Sequence, residues 1–177
     1  MSLSLHQACI PLMLQMLGSL AGMCDKAAAH CAEKKIDPQA LLTARLYPNM
    51  YTFQKQVQVA TDWVRNTAAM LAGVEAQKPP HEEKSFDDLR ARIAATVAFV
   101  KSIDPAKIDA AEGREITWST SANTRVMAGE DFALHQAMPQ FFFHVTTAYA
   151  ILRQAGLPIG KIDYMGYMMQ HAKKPQG

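Results

Sequence analysis

This sequence lacks a large net charge of either sign. Its 177 residues contain 18 Lys and Arg against 16 Asp and Glu, which leaves a formal net charge of +2. Proteins that bind nucleic acids gather many basic side chains on one surface, because neutralising phosphates supplies much of their affinity. The clearest basic cluster here is the tail pair Lys173 and Lys174, which is typical of a solvated terminus. We therefore expect no nucleic-acid partner.

Cysteine is equally scarce. The three cysteines, Cys9, Cys24 and Cys31, are odd in number and lie in one segment, unlike the paired framework of a small secreted domain. Cys24 and Cys31 would lie two turns apart on one face of a helix. This pattern indicates small buried thiols in a reducing compartment, so we expect a cytoplasmic protein.

The first 24 residues have no Asp, Glu, Lys or Arg. A secretory signal would start with basic residues, and none precedes the apolar run here. Gln15 and Gly18 interrupt the best candidate for a membrane span, which needs about 20 predominantly apolar residues in succession. We expect a structural helix in this segment and no membrane partner.

Glycine-dependent motifs are missing as well. Gly156, Gly160 and Gly166 have neither the spacing nor the preceding strand of a phosphate-binding loop, and there is no nucleophile elbow. The sequence therefore predicts no nucleotide cofactor.

Apolar residues, in contrast, recur at helical spacing through most of the chain. They predict four long amphipathic helices, over residues 6–34, 49–72, 85–103 and 131–155. Between the third and the fourth helix the period changes from helical to alternating. The alternation predicts a small β-hairpin, with strands at 115–119 and 125–127 and a turn at 121–123.

Prolines and caps modify this pattern. Pro11 indicates that the first helix starts near Cys9 or bends there, and Pro139 should bend the last helix or start its main part. On the last helix the inner stripe begins at Leu134. The dipeptide at 37–38 is an N-cap followed by proline, which opens a short extra helix that ends near residue 46.

Four amphipathic helices of this length can bury their apolar faces by packing on one another. The fold class that we predict is all-α, a four-helix bundle with a short extra helix and a small β-hairpin before the last helix. The length and the apolar content fit a single domain over residues 1–177.

Two segments resemble a known family. They are RLYPNM followed by QVQVATD, at 45–50 and 56–62, and PQFFFHVTTAYAILRQAGLPIGKIDYMG, at 139–166. Both resemble the uncharacterised bacterial family DUF1993 of the DinB/YfiT-like superfamily. The resemblance spans nearly the whole chain and implies a DinB-like four-helix bundle. Better-known members of that superfamily hold a divalent metal on three histidines, some are thiol-dependent S-transferases or isomerases, and many are dimers.

The resemblance places His144 at the second of the two late-helix histidines that hold the metal in those relatives. Gln140 stands where the first would be, and Gln56 is the best match for the third ligand. Amide side chains bind transition metals poorly, because zinc sites prefer imidazole, thiolate and carboxylate. His135 lies two and a half turns before His144, so on a straight helix it points to the opposite face. We expect no metal and no other cofactor.

Other residues could still join such a site. His6 lies on the inner stripe of the first helix, so His6, Asp62 and His144 form a conceivable metal set. Arg45 with Asn49 or Asp62 is either a binding constellation or, as we favour, a salt bridge that ties the short helix to the rest of the fold.

For His144 itself two interpretations stay open. A buried histidine is usually satisfied by a hydrogen bond, here to Gln56, Tyr149 or a buried water molecule. If it faces a pocket, a neutral imidazole can instead anchor a ligand or act as a general base.

Aromatic and methionine residues indicate further contacts. The run Phe141, Phe142 and Phe143 covers most sides of its helix, so that helix is central or shared with another subunit. The tail is rich in adaptable apolar side chains that are costly to expose, and it predicts a homodimer contact through Tyr164, Met165, Tyr167, Met168 and Met169.

These observations leave three functional hypotheses. The first is a DinB-like bundle that binds a small molecule near His144 and has lost the three-histidine metal site. The second is a metal- and thiol-dependent S-transferase or isomerase. The third is a structural or stress-associated homodimer without catalysis, so whether the chain is an enzyme stays open at this point.

Overall fold

The computed structural model describes residues 3–119 and 123–166. The chain is mostly helical, and its four long helices are α1 (Leu5–Lys34), α3 (Phe53–Ala72), α4 (Phe86–Lys101) and α7 (Met138–Gln154). Shorter helices connect or flank them: α2 (Pro38–Leu42), α5 (Pro105–Asp109), α6 (Gly129–Asp131) and α8 (Lys161–Met165). The two strands are β1 (Glu115–Ser119) and β2 (Thr124–Ala128).

Helix α1 begins earlier than Pro11 suggested. Ser4 caps it by accepting a hydrogen bond from the backbone N–H of Gln7, while the Gln7 side chain accepts one from the Ser4 backbone N–H. This capping box fixes the first turn at Leu5, so the start near Cys9 was wrong. Pro11 lies inside the helix on its exposed side.

We expected no segment to be long and apolar enough to span a membrane, and for α1 this expectation was wrong. By length and mean hydropathy, α1 is long and apolar enough to do so. Half of its most apolar window is buried inside the fold, where Met13, Leu17, Leu20 and Cys24 are inaccessible to solvent. A core helix passes the same test, so the composition alone indicates little, and the absence of a membrane partner stays a prediction.

Local caps set the ends of the next helices. Asp37 caps α2 as predicted, but α2 ends at Leu42, before the predicted end at residue 46. Helix α3 begins at Phe53 rather than at residue 49, because the Thr52 hydroxyl accepts the hydrogen bond of the Lys55 N–H. It stops at Gly73, whose φ of 66° is left-handed, as expected for a glycine C-cap.

The β-hairpin is present where the alternating pattern predicted it. Its strands are antiparallel, and the register pairs Glu115 with Ala128 and Ser119 with Thr124. Of the predicted turn, Ser121 and Ala122 lie outside the described residues.

The predicted single helix over 131–155 is divided. Residues Phe132–Ala137 form a π-helical segment, and the regular helix α7 begins with Pro139 in its first turn. The wider turn accommodates a proline that cannot donate a backbone hydrogen bond, and it shifts the phase of the side chains. Leu134 is therefore 39% exposed instead of lying on the inner stripe. Of the two predicted effects of Pro139, the second is confirmed: Pro139 lies in the first turn of α7, the main part of the helix.

One apolar core unites the long helices, and its largest fully buried side chains include Phe53, Phe132 and Phe141. Helices α3 and α7 pack extensively on each other, and α1 and α4 cover their other sides. This arrangement brings the first turn of α3 beside the middle of α7, where His144 lies.

Candidate functional site

His144 and Gln56 meet at the α3–α7 interface. The His144 Nδ1 and Gln56 Oε1 atoms are 2.7 Å apart, and the Gln56 Nε2 donates to the backbone oxygen of Tyr51 at 3.3 Å. Both side chains are buried, since His144 is 6% exposed and Gln56 1%. Of the two residues considered as partners of His144, Gln56 is the one in hydrogen-bond contact.

This pair of hydrogen bonds fixes the protonation of the imidazole. Because the Gln56 amide donates to Tyr51, its oxygen must accept from His144, which places the proton on Nδ1 and leaves a lone pair on Nε2. Burial lowers the pKa of His144 to about 4. At neutral pH the ring is therefore an uncharged imidazole with one nitrogen free to accept a proton or a hydrogen bond.

Two aromatic rings flank the imidazole. Tyr51 stacks on it with ring centres 6.3 Å apart and an angle of 19° between the planes, and Phe143 meets it edge-on at 5.3 Å. Tyr51 is 51% exposed and Phe143 56%. We call these two rings and His144 the aromatic face. Among the described residues Nε2 has no hydrogen-bond partner, and it is not fully buried.

The residues at this position do not fit a three-histidine metal site. The oxygen of Gln56 is engaged with His144 rather than directed with it toward a third point, and amides are weak ligands for transition metals. Among the described residues, no three His, Cys, Asp or Glu side chains lie close enough to hold a metal ion. The conceivable set of His6, Asp62 and His144 is therefore wrong, because these side chains do not converge.

The structure places each of these residues in a different environment. The backbone N–H of His6 donates to the Asp109 carboxylate at 2.7 Å, which joins the start of α1 to α5. His135 projects from the π-helical segment with 79% of its side chain exposed, so the helix break at Pro139 does not bring it toward His144.

Two other predicted site residues serve different contacts. Tyr149 packs edge-on against Tyr164, with ring centres 5.7 Å apart, rather than bonding to His144. Arg45 donates to the backbone oxygen of Pro48 at 3.3 Å and is in no ion pair with a described residue. The predicted salt bridge between Arg45 and the rest of the fold was therefore wrong.

Asp62 belongs to a network that sequence reasoning missed. Its carboxylate lies 2.5 Å from Nη2 of Arg92, whose Nη1 also contacts Glu83 at 2.8 Å. The Arg92 Nε donates to the Thr61 hydroxyl at 2.7 Å, and only 2% of the Arg92 side chain is exposed. This buried network connects α3, α4 and the segment before α4.

His81 completes the outer side of the network. Its Nε2 lies 2.7 Å from Asp62, and its Nδ1 lies 2.5 Å from the Lys55 ammonium. A lysine can only donate, so Nδ1 accepts and the proton on Nε2 faces the carboxylate. The sequence feature that could have indicated this network is the mixed charge of residues 81–84. Such a segment is usually a solvated loop, so the network was not predicted.

The environment of the three thiols disfavours the reactive thiolate form. All three cysteines are free and buried, and burial raises the pKa of Cys9 to about 11 and that of Cys24 to about 12. The pKa of Cys31 is also raised, first by burial and then by the nearby charge of Asp37. They are buried as predicted.

The described part of the tail packs on its own chain. Tyr164 contacts the Thr146 hydroxyl at 2.9 Å, and the Met165 carbonyl accepts from Gln15 at 2.9 Å. Tyr167, Met168 and Met169 lie outside the described residues. The homodimer contact through this tail stays a prediction.

Comparison with known proteins agrees with the sequence resemblance. The structure is similar to the crystal structure of a DinB family member protein from Shewanella denitrificans, with a TM-score of 0.85 and 34% sequence identity over 97% of this chain and 96% of the other. No curated protein has a significant match.

The sequence places the chain more narrowly within this DinB-like class. Residues 5–165 match the model of a family described as a domain of unknown function, DUF1993. The chain therefore belongs to the DUF1993 family, and the predicted family is confirmed.

Proposed function

We propose that this protein is a DinB-like four-helix bundle that binds a small molecule at His144 without a metal ion. The four long helices and the likeness to a DinB family structure support the bundle interpretation. The observation that supports the functional part is the 2.7 Å contact between His144 and Gln56, because this hydrogen bond engages the side chain that stands where the resemblance implies a metal ligand.

The chemistry of the aromatic face defines the ligand class. The neutral Nε2 accepts a hydrogen bond, and Tyr51 and Phe143 present exposed rings on either side. A planar apolar molecule with an O–H or N–H donor would satisfy both features. The cavities lined by α3, by β1 and by the segment before α4 do not include His144, so we expect the ligand to rest on the open aromatic face.

Phenol is a suitable probe, because it combines one ring with one hydroxyl donor. We expect its addition to shift the backbone amide resonances of Tyr51 and Phe143 saturably in two-dimensional NMR titrations of the wild type and of each variant, and in the wild type to shift the side-chain ¹⁵N resonance of His144 Nε2 as well. His144→Phe should lose the binding, whereas His135→Phe, a matched change at an exposed histidine, should retain it. Saturable binding that survives in His144→Phe, or no binding by the wild type, would contradict this proposal.

Metal analysis separates the proposal from a metal- and thiol-dependent transferase. After incubation with zinc, nickel or iron and dialysis, we expect much less than one metal ion per chain and no difference between the wild type and His144→Ala. A stoichiometric metal that is lost in His144→Ala would favour the transferase instead.

We also propose a cytoplasmic location. The three free, buried thiols support it, since a reducing compartment keeps such cysteines unpaired. Fractionation of the native host, with the protein followed by antibody, tests it.

A further inference from the structure

A second region, whose lining includes no residue of the aromatic face, has the features of a binding site. A cavity of about 280 Å³ lies between α3 and the segment before α4, and its lining includes Asp62, Arg65, Asn66, Lys78 and His81. A larger cavity of about 860 Å³ is lined by the same segment and shares Arg65 and His81 with the smaller one. We call the smaller one the Arg65 cleft.

Arg65 is a buried cation with few partners. It is 9% exposed, and its Nη2 donates to the Thr96 hydroxyl at 3.0 Å. Its guanidinium lies over the ring of Phe99, 5.5 Å from the centre. Of the buried side-chain nitrogens in the described ranges, the Arg65 Nε is the one without a hydrogen-bond partner.

The neighbouring carboxylates are already engaged. Asp62 and Glu83 both pair with Arg92, and the second oxygen of Asp62 faces His81. Arg65 forms no ion pair with any residue that the structure describes. Burial, followed by the charge of Arg92, lowers its pKa, while Asp62 offsets this effect only in part.

A buried guanidinium without a carboxylate is costly, and a bound anion would compensate it. Arginine also has the planar set of donors that matches an oxyanion, and the exposed Lys78 adds a second positive charge at the edge of the cleft. The volume admits a small group rather than a nucleotide.

We propose that the Arg65 cleft binds a small oxyanion, a carboxylate or a phosphate, through the guanidinium of Arg65. The site does not depend on the proposed function of the aromatic face.

Titration of the protein with sodium phosphate and, separately, sodium acetate tests this proposal, with sodium chloride added to hold the ionic strength constant. The readout is the side-chain Nε–H resonance of Arg65 in the wild-type protein, so it does not require a variant to fold. We expect this resonance to shift saturably with one anion, with a dissociation constant on the order of 1 mM or below. The anion that binds more tightly identifies the ligand chemistry.

A matched pair of variants then locates the site. Binding is followed in both variants through the backbone amide resonances of Asn66 and Lys78, which line the cleft. Arg65→Gln should weaken binding at least about tenfold, whereas Arg90→Gln, which removes an exposed arginine on α4, should leave it unchanged. The proposal would be overturned by an Arg65 resonance that follows chloride as closely as the oxyanions, or by equal binding in the wild type and Arg65→Gln.

Discussion

At the scale of single residues, His144 couples stability to pH. Its pKa is about 4 in the folded chain and near 6.5 in an unfolded one. Because the folded state holds the ring neutral, the unfolded state binds the extra proton as the pH falls. The stability that this neutral ring preserves is fully present above pH 6.5 and is lost as the pH falls toward 4.

We therefore predict that the free energy of unfolding decreases between pH 6.5 and 4, with a contribution from His144 on the order of 1 kcal/mol or more. Urea denaturation at a series of pH values measures it. His144→Phe should flatten this part of the profile, and His135→Phe should not. An identical slope in the wild type and His144→Phe would show that another group is responsible.

Arg92 gives a second prediction at this scale. Removing one member of a buried ion network leaves the other charges uncompensated, so Arg92→Ala should cost about 3 kcal/mol of stability. Arg90→Ala removes an exposed ion pair with Asp25 and should cost less than about 1 kcal/mol. Denaturation curves of the two variants measure both losses of stability, and similar losses in Arg92→Ala and Arg90→Ala would contradict the prediction.

The sequence could predict only part of the residue-scale picture. His144 was found because the family resemblance implies a histidine there, and Gln56 because it stands where the resemblance implies the third ligand; both lie on regular helices whose faces the periodicity defines. Asp62 and Arg92 meet where α3 packs on α4, and His81 and Glu83 join them from the irregular segment before α4. Helical periodicity does not describe such a segment, so their contact could not be predicted.

At the scale of elements, Gly129 tests how closely α6 approaches the turn after α5. A Cβ atom added there would lie 2.2 Å from the backbone oxygen of Ala111. We predict that Gly129→Ala lowers stability by about 2 kcal/mol or more, since a backbone atom cannot move aside cheaply.

Gly22→Ala is the matched control for this change. Gly22 lies inside α1, and a Cβ there would meet nothing within 4 Å. This substitution should raise stability by about 0.5 to 1 kcal/mol, because alanine loses less conformational freedom in a helix. Thermal melts of both variants measure the difference, and a neutral Gly129→Ala would refute the close approach.

The spacing of apolar residues predicted the long helices. It placed some of their ends wrongly, because a local cap determines where a helix begins, as Thr52 does for α3. The π-helical segment was not predicted, because periodicity assumes a constant turn and Pro139 changes it. Helices α5 and α8 span five residues each, too few to establish a period.

At the scale of the whole molecule, we predict a homodimer. Large apolar side chains remain exposed, among them Tyr47, Tyr51 and Phe143, and surfaces of this kind commonly form contacts between proteins. Light scattering at micromolar concentration should give twice the mass of the 19.5 kDa chain. Deletion of residues 167–177 should give a monomer if the tail forms the contact, and a monomeric full-length chain would refute the dimer.

The family and the mostly helical fold were predictable from the sequence, because the motif at 139–166 is specific and the helical stripes are continuous. The Arg65 cleft was not predictable, since it depends on which carboxylates the neighbouring Arg92 engages. Three-dimensional packing decides that pairing.

The central claim is that the His144 ring is uncharged and holds no metal. ¹⁵N NMR of the His144 side chain at neutral pH, with one equivalent of zinc, tests this claim directly. We predict a proton on Nδ1, a lone pair on Nε2 and a spectrum that zinc leaves unchanged. A stoichiometric shift of either ring nitrogen on addition of zinc would contradict the account.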